Sequence, residues 1–368
     1  MNQNTDTLLS PLTMKGRNLR NRLVVAPMTR ISATEDGAAT DIMARYYERF
    51  ARGGFGLVIT EGIYTDQTYS QGYPYQPGMS DEAQAKSWRS VVERLHAHGS
   101  KTIAQIMHSG ALSQGNRFRE GTAAPSAVQP IGEQLGIYYG QGPYPLPRAL
   151  TDEQIVDVIA GFAQAAKRAV ATAGFDGIEL HAANGYLLDQ FLSAPSNLRD
   201  DRWGGDVRQR MTLIREAIHA VRDAIGKDSL LGVRVSQGKV NDHSARWPGG
   251  LADAEGVFGT LADSGVDFIH TTDYKAWQPA FSEATESLAS AARRFAPGVA
   301  IIANGDLHQF DRARQLLADS ADLVAIGKAA LANPDLPQRL ANGQPLNEFS
   351  SEMLTPIANI KEAEVLGN

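Results

Sequence analysis

Residues 178–186, "IELHAANGY", carry His181, Asn184 and Tyr186 within six positions, with Gly185 between the last two. An imidazole N–H beside an amide NH2 can hold a carbonyl oxygen while charge builds on it, and a nearby phenol can give a proton. A metal site would need a second His or a carboxylate at ligand spacing, but there is one His here, and Asp189 falls deep in the following helical stretch. A serine nucleophile would sit in a G-x-S-x-G elbow, which the chain lacks. The same three residues also fit a structural arrangement, in which His181 caps a strand, Asn184-Gly185 turns and Tyr186 packs. Taken alone, the segment supports both readings.

A second group lies near the end of the chain. "ANGD" (303–306) and "GKAA" (327–330) supply Asn304, Gly305, Gly327 and Lys328. Glycines that let a backbone approach closely, with a lysine for charge, suit a phosphate. Glycines also simply end strands at turns.

The elements that must position these residues follow from apolar patterning. Short β-rich runs recur at 22–26, 56–60, 102–106, 176–180, 231–235, 266–270, 299–303 and 322–326. Between them lie stretches of helical period. "DIMARYYERFARGG" sets Ile42, Tyr46, Arg49 and Phe50 on one face before a glycine stop, and Thr151 with Gln154 forms a capping box ahead of a helix over 151–174. Further helices are expected at 81–97, 207–225, 253–263, 284–295 and 308–319. Strands alternating with helices make parallel βαβ units, and eight of them favour a closed (β/α)8 TIM barrel in one domain spanning 1–368. An open doubly wound sheet would carry a glycine-rich fingerprint after its first strand, where this chain reads "PMTRIS". Residues 107–150 hold seven glycines, five prolines and three tyrosines. So long a loop between strand three and its helix is expected to cap a site.

Catalytic groups of such barrels sit at the C-terminal ends of the strands. Those ends read Pro27-Met28-Thr29, Thr60-Glu61-Gly62, Gln105, His181, Arg234, Asn304-Gly305-Asp306 and Gly327-Lys328. Polar side chains and glycines therefore converge on one mouth.

Composition narrows the classes. With 368 residues, 43% of them hydrophobic, the chain can bury a large core, and a net charge of −6 without a basic stripe argues against nucleic acid. Zero cysteines exclude disulfides, thiolate zinc sites, iron–sulfur clusters and a catalytic thiol. The first residues show no secretory pattern and no apolar run nears the roughly 20 residues of a membrane span. A soluble cytoplasmic protein, monomer or homodimer, is the expectation.

"HAANGYLLDQFL" followed by "SNLRDDRWGG" resembles the old yellow enzyme family of flavin-dependent ene reductases, and the resemblance covers nearly the whole chain. "NRLVVAPMTR", "TEGIY", "AQIMHSG", "GVRVS", "IIANGDL" and "GKAALANPDLPQRL" appear in the family's order. It implies a barrel with one non-covalent FMN across its mouth and NADPH or NADH as reductant. By that resemblance Pro27, Met28 and Thr29 lie at the flavin, Thr29 near its O4. Gly62 and Gln105 meet the ring edge, Arg234 stands by N1 and O2, and Asn304, Gly305, Gly327 and Lys328 cradle the phosphate. His181 and Asn184 hold the carbonyl oxygen of an α,β-unsaturated substrate. Hydride then passes from the flavin to the β-carbon while Tyr186 protonates the α-carbon. Tyr73 and Met107 are expected to line the substrate pocket, with His108 and the tyrosines of 138–144 near it.

Three positions depart from the family pattern. Lys328 stands where arginine is usual, Met107 where tryptophan is common, and the last tyrosine is Tyr274, so the pocket wall often supplied by a C-terminal tyrosine must come from elsewhere. Larger relatives acting on dienoyl thioesters or amines carry an iron–sulfur cluster, which a cysteine-free chain cannot hold. A lysine-aldolase barrel would have only Lys328 at a strand end. A flavin-binding barrel without ene turnover, and a general NAD(P)H dehydrogenase or nitro-compound reductase, remain as alternatives.

Overall fold

Each apolar run becomes a strand in the computed structural model, which describes residues 6–366. The strands are β1 (Leu23–Val25), β2 (Leu57–Ile59), β3 (Lys101–Met107), β4 (Gly177–Asn184), β5 (Leu230–Lys239), β6 (Phe268–Thr272), β7 (Ala300–Asn304) and β8 (Leu323–Ile326). All pair in parallel with their sequence neighbours, and β8 pairs with β1, so the sheet closes. A hairpin, Leu12–Met14 with Arg17–Leu19, precedes β1. Its Met14 and Leu19 join Val24, Leu57, Ile103 and Leu323 in one buried cluster, so the hairpin plugs the N-terminal end of the lumen.

The lumen is filled to close contact. A Cβ on Gly232 of β5 would lie 2.2 Å from the Phe268 ring, so glycine is what lets that ring occupy the lumen. Outside the barrel, helix Asp41–Arg52 buries Met43, Tyr46, Tyr47 and Phe50, one stripe at helical spacing. The Thr151–Gln154 capping box forms at the start of helix Asp152–Arg168.

Several boundaries differ from the sequence expectation. Strand four was expected over 176–180 but runs to Asn184, and strand five continues to Lys239. The two ladder onward beyond the rim: Lys239 is the register partner of Asn184, and Ser236 Oγ accepts from Asn184 N at 2.8 Å. Polar side chains do not end a strand whose backbone still finds partners. The helix expected over 81–97 breaks at Trp88, which is fully buried against Tyr47 and Phe175. The helix over 151–174 finishes as a π-turn, Ala169–Ala173, before left-handed Gly174. Among the described residues no helix is long and apolar enough to cross a membrane.

Residues 107–150 form the capping region. Ala123–Ala124 pairs with Arg148–Ala149, and Gln114 bonds the backbone of Leu135 with both ends of its amide, at 2.8 and 3.0 Å. The C-terminal segment crosses the same end. Ala358 N donates to Ile137 O at 2.9 Å, and fully buried Arg30 donates to Ala358 O (2.9 Å) and Asn359 O (3.0 Å). Arg30 and Arg49 both pair with Glu364. Below them Glu61 Oε2 accepts from Arg30 N (2.9 Å) and Ile31 N (3.0 Å). Those bonds hold Ile31 at φ +34°, a conformation β-branched residues rarely adopt.

Two expectations follow. Gly232→Ala forces Phe268 to move, so calorimetry should read a loss of about 1–3 kcal/mol, partly restored by adding Phe268→Leu. Burial raises the Glu61 carboxyl from an ordinary 4.5 to about 7, against the pull of its amide donors and Arg30. A raised carboxyl favours the folded state while protonated, so its contribution is full below pH 4.5 and is lost as pH rises through 7. Denaturant unfolding should weaken by about 2–3 kcal/mol between pH 5 and 8, and Glu61→Gln should flatten that slope.

Candidate active site

The end of β4 is a sharp turn made by two left-handed residues, Asn184 (φ +63°) and Gly185 (φ +88°). Asparagine is among the few side chains that enter that region readily. A Cβ on Gly185 would lie 3.0 Å from both Asn241 Oδ1 and Leu112 Cδ1, so the turn also needs glycine for space. Its backbone is bonded all round. Gly185 N donates to Asp189 Oδ2 at 2.6 Å, Gln190 Nε2 to Gly185 O at 2.7 Å, and Val240 N to Asn184 O at 3.0 Å. Asp189 itself is fully buried and paired with Lys239 Nζ at 2.8 and 2.9 Å. Burial raises its carboxyl, and Lys239 works against the rise.

With the backbone satisfied, the three side chains are left for other work. His181 is 3% exposed and its Nδ1 has no partner among the described residues. Burial first, then the charges of Arg234 and His270, holds its imidazole well below the usual range. The Tyr186 ring stands edge-on to His181, centroids 4.9 Å apart. Its hydroxyl meets the Tyr73 hydroxyl at 2.6 Å, and burial keeps both phenols above their ordinary value. Tyr73 packs on Tyr138 at 4.7 Å. Ile31, Met107, Leu112 and Tyr144 complete this apolar layer with Tyr73 and Tyr186, and Ile357 of the C-terminal segment packs against it. That layer supplies the wall for which the sequence offered no late tyrosine.

Beneath it lies a polar stratum that the sequence reading met only in part. Arg234, opposite His181 in register, donates from Nη2 to Asn304 Oδ1 (2.8 Å) and Thr272 Oγ1 (3.2 Å). Gln105 Nε2 donates to Glu179 Oε1 at 2.7 Å, and Glu179 Oε2 meets His270 Nδ1 at 2.8 Å. Glu179, Thr272, His270 and Lys239 were not singled out from sequence, and Asp189 was weighed there only as a metal ligand. Glu179 and His270 were findable, since each is a charged or titratable residue inside a run read as a buried strand.

The expected phosphate residues divide. Asn304 directs its amide to Arg234, Thr272 and the Ala325 carbonyl (2.9 Å), so its side chain braces the arginine rather than standing free as a cradle. Gly305 adopts φ +143°, and a Cβ there would lie 1.9 Å from the Asp273 carbonyl. Packing alone requires that glycine. Gly327 is different: a Cβ there would make only ordinary contacts, the nearest with Met28 Sδ at 3.7 Å, so packing does not demand glycine at that position. Lys328 is solvent-exposed, and Pro27, Met28 and Thr29 are half-buried across from Gly327. Gly62 lies against Met107, whose sulfur would be 2.0 Å from a Cβ. His108 accepts from Gly110 N through Nδ1 at 3.1 Å and serves the capping region.

This donor set fits FMN. His181 Nδ1 and Arg234 Nε are buried without partners among the described residues, Gln105 keeps its carbonyl oxygen beside Gly62, and the mouth offers an exposed lysine next to a glycine that packing does not require. A ring system rich in acceptor atoms with a phosphate tail answers those groups.

Comparison with known proteins agrees. Residues 7–347 match the model of the NADH:flavin oxidoreductase / NADH oxidase family. A probable flavin mononucleotide-dependent alkene reductase of Leishmania infantum is 37% identical over 67% of this chain and 68% of its own. A probable inactive reductase of Epichloe festucae var. lolii is 34% identical over 72% and 68%. The old yellow enzyme homologue from Zymomonas mobilis superposes with a TM-score of 0.87 at 30% identity, covering 98% of this chain and 99% of that one. Barrel, donor set and relatives together show that this chain belongs to the FMN-dependent old yellow enzyme family and is a flavin-dependent NAD(P)H oxidoreductase.

Proposed function

We propose that this protein reduces carbon–carbon double bonds conjugated to a carbonyl group. The observation that carries the reading is the trio at the end of β4: an unpartnered His181 Nδ1, the Asn184 amide, and the Tyr186 hydroxyl in a short bond to Tyr73. Bound FMN supplies a two-electron store that NAD(P)H fills and a substrate carbon empties. His181 and Asn184 hold the carbonyl oxygen. Because burial and Arg234 keep the imidazole neutral, it acts as a hydrogen-bond donor and adds no second charge beside the arginine. Withdrawal through that oxygen leaves the β-carbon electron-poor.

Tyr186 gives its proton to the α-carbon. Its raised phenol stays protonated at any working pH, and Tyr73, 2.6 Å away, steadies the oxygen as the proton leaves. Arg234, its Nε unpartnered among the described residues and its Nη2 fixed by Thr272 and Asn304, would hold the cofactor ring. Thr29, Gly62 and Gln105 would hold the ring as well, and Gly327 and Lys328 the phosphate. Tyr73 and Met107 shape the pocket. A carbon-directed acid is what distinguishes this reading from a general NAD(P)H dehydrogenase or a barrel that binds flavin without ene turnover.

The test separates the half-reactions. The wild type should oxidise NADPH anaerobically with 2-cyclohexenone and yield cyclohexanone. Tyr186→Phe should take hydride from NADPH at the normal rate but pass it to cyclohexenone about 10²–10⁴-fold more slowly. NADPH oxidation without saturated ketone would overturn the reading. Lys328→Ala should lower FMN affinity about tenfold, the lower end for a charge-assisted bond because the lysine is exposed; equilibrium dialysis reads it directly.

A further inference from the structure

A cavity of about 250 Å³ lies behind the β4 turn, on the side away from His181 and Tyr186, neither of which lines it. Its roof is the capping region, through Val128, Pro130 and Ile131, and its far wall is Trp247 and Val257. Gly185 closes it toward the mouth.

The charged side chains on its walls already hold hydrogen bonds, Asp242 with Ser244 among them. Lys239 pairs with Asp189, Arg210 donates to the Leu192 and Gly205 carbonyls (2.7 and 2.6 Å), and Asp253 accepts from Gly249 N at 2.8 Å. Rim-exposed Arg246 donates to the carbonyls of His243 and Ala245. Two polar atoms are not matched. The Trp247 indole Nε1 and Asn241 Oδ1 are buried without a partner among the described residues, and the Trp247 side chain is only 7% exposed. A buried donor and a buried acceptor left open in an otherwise apolar chamber each cost free energy unless something bonds them.

We propose that this cavity is a second ligand site, for a neutral apolar molecule carrying a hydroxyl group that Trp247 and Asn241 recognise. At protein packing density a space of this size takes roughly ten to twelve non-hydrogen atoms. A hydroxyl can accept from the indole or give its proton to the amide oxygen. An anion would find only Arg210 and Arg246, whose N–H groups are already given to backbone carbonyls. The occupant would rest on Gly185, one residue from Asn184, so the two sites share the turn that carries the Asn184 amide. The inference stands on the cavity and not on the ene-reductase reading of the mouth.

The probe is borneol, a saturated ten-carbon alcohol with no double bond to reduce. Ligand-observed saturation-transfer NMR on the FMN holoenzyme should detect it and give a one-to-one dissociation constant. Trp247→Phe, which keeps an aromatic wall but removes the donor, should weaken binding roughly threefold to tenfold. Ala194→Phe, filling the cavity from the half-buried loop 193–196, should abolish it. The double variant His181→Ala, Tyr186→Phe, which alters the mouth but leaves the Asn184–Gly185 turn intact, should bind borneol as the wild type does. No binding to the wild type overturns the proposal. So does binding that survives Ala194→Phe but is lost in the double variant, which would put borneol in the mouth. Unchanged affinity in Trp247→Phe would overturn the assignment of the indole. Each variant is checked for retained FMN absorbance, so a misfolded protein is not scored as loss of the site.

Discussion

A carboxylate taken fully out of water is tolerable only when its oxygens are partnered, and Asp189 meets that condition with the Gly185 amide and the Lys239 ammonium. Removing one member of such a pair costs about 3–5 kcal/mol, a large share of a folded protein's margin. The pair therefore dictates geometry. It ties the helix after β4 to the last residue of β5, and through Asp189 it bonds the Gly185 amide within the left-handed Asn184–Gly185 turn. From that conformation follow the direction of the Asn184 amide and the start of the helix that carries Tyr186. None of the three mouth side chains is consumed in holding the turn.

The polar stratum below obeys a related rule. Arg234 is buried, and its carboxylate neighbour Glu179 is held by Gln105 and His270. Burial first, and then the charge of Arg234, keeps the His181 imidazole neutral. The mouth thus combines one fixed charge with uncharged donors. That arrangement stabilises negative charge gathering on a bound ring without neutralising it through a salt bridge.

The barrel was legible in the sequence because β-branched runs and helical periods alternate without ambiguity, and strand parity leads straight to Gln105, His181 and Arg234. The ends of β4 and β5 were not, because Ser236 and Lys239 bond backbone across strands and no local pattern announces that. Asn304 and Gly305 look like phosphate residues from composition. In three dimensions the first braces Arg234 and the second makes room for the Asp273 carbonyl, partners far away in sequence. The pocket wall was illegible for the same reason. Ile357 reaches Tyr73 and Tyr138 only because Arg30, more than three hundred residues earlier, grips the carbonyls beside it.

The apolar layer over the barrel mouth is assembled from three separated segments, around Tyr73, Tyr138 and Ile357, whereas Gln105, His181 and Arg234 are borne by strands laddered on both sides. Changes to one kind of element need not propagate to the other. A lineage carrying this barrel can exchange its loops, and with them its diet of small molecules, while the electron-handling floor is inherited intact. The scaffold separates what is recognised from what is done to it, and divergence by loop replacement is the evolutionary path it leaves open.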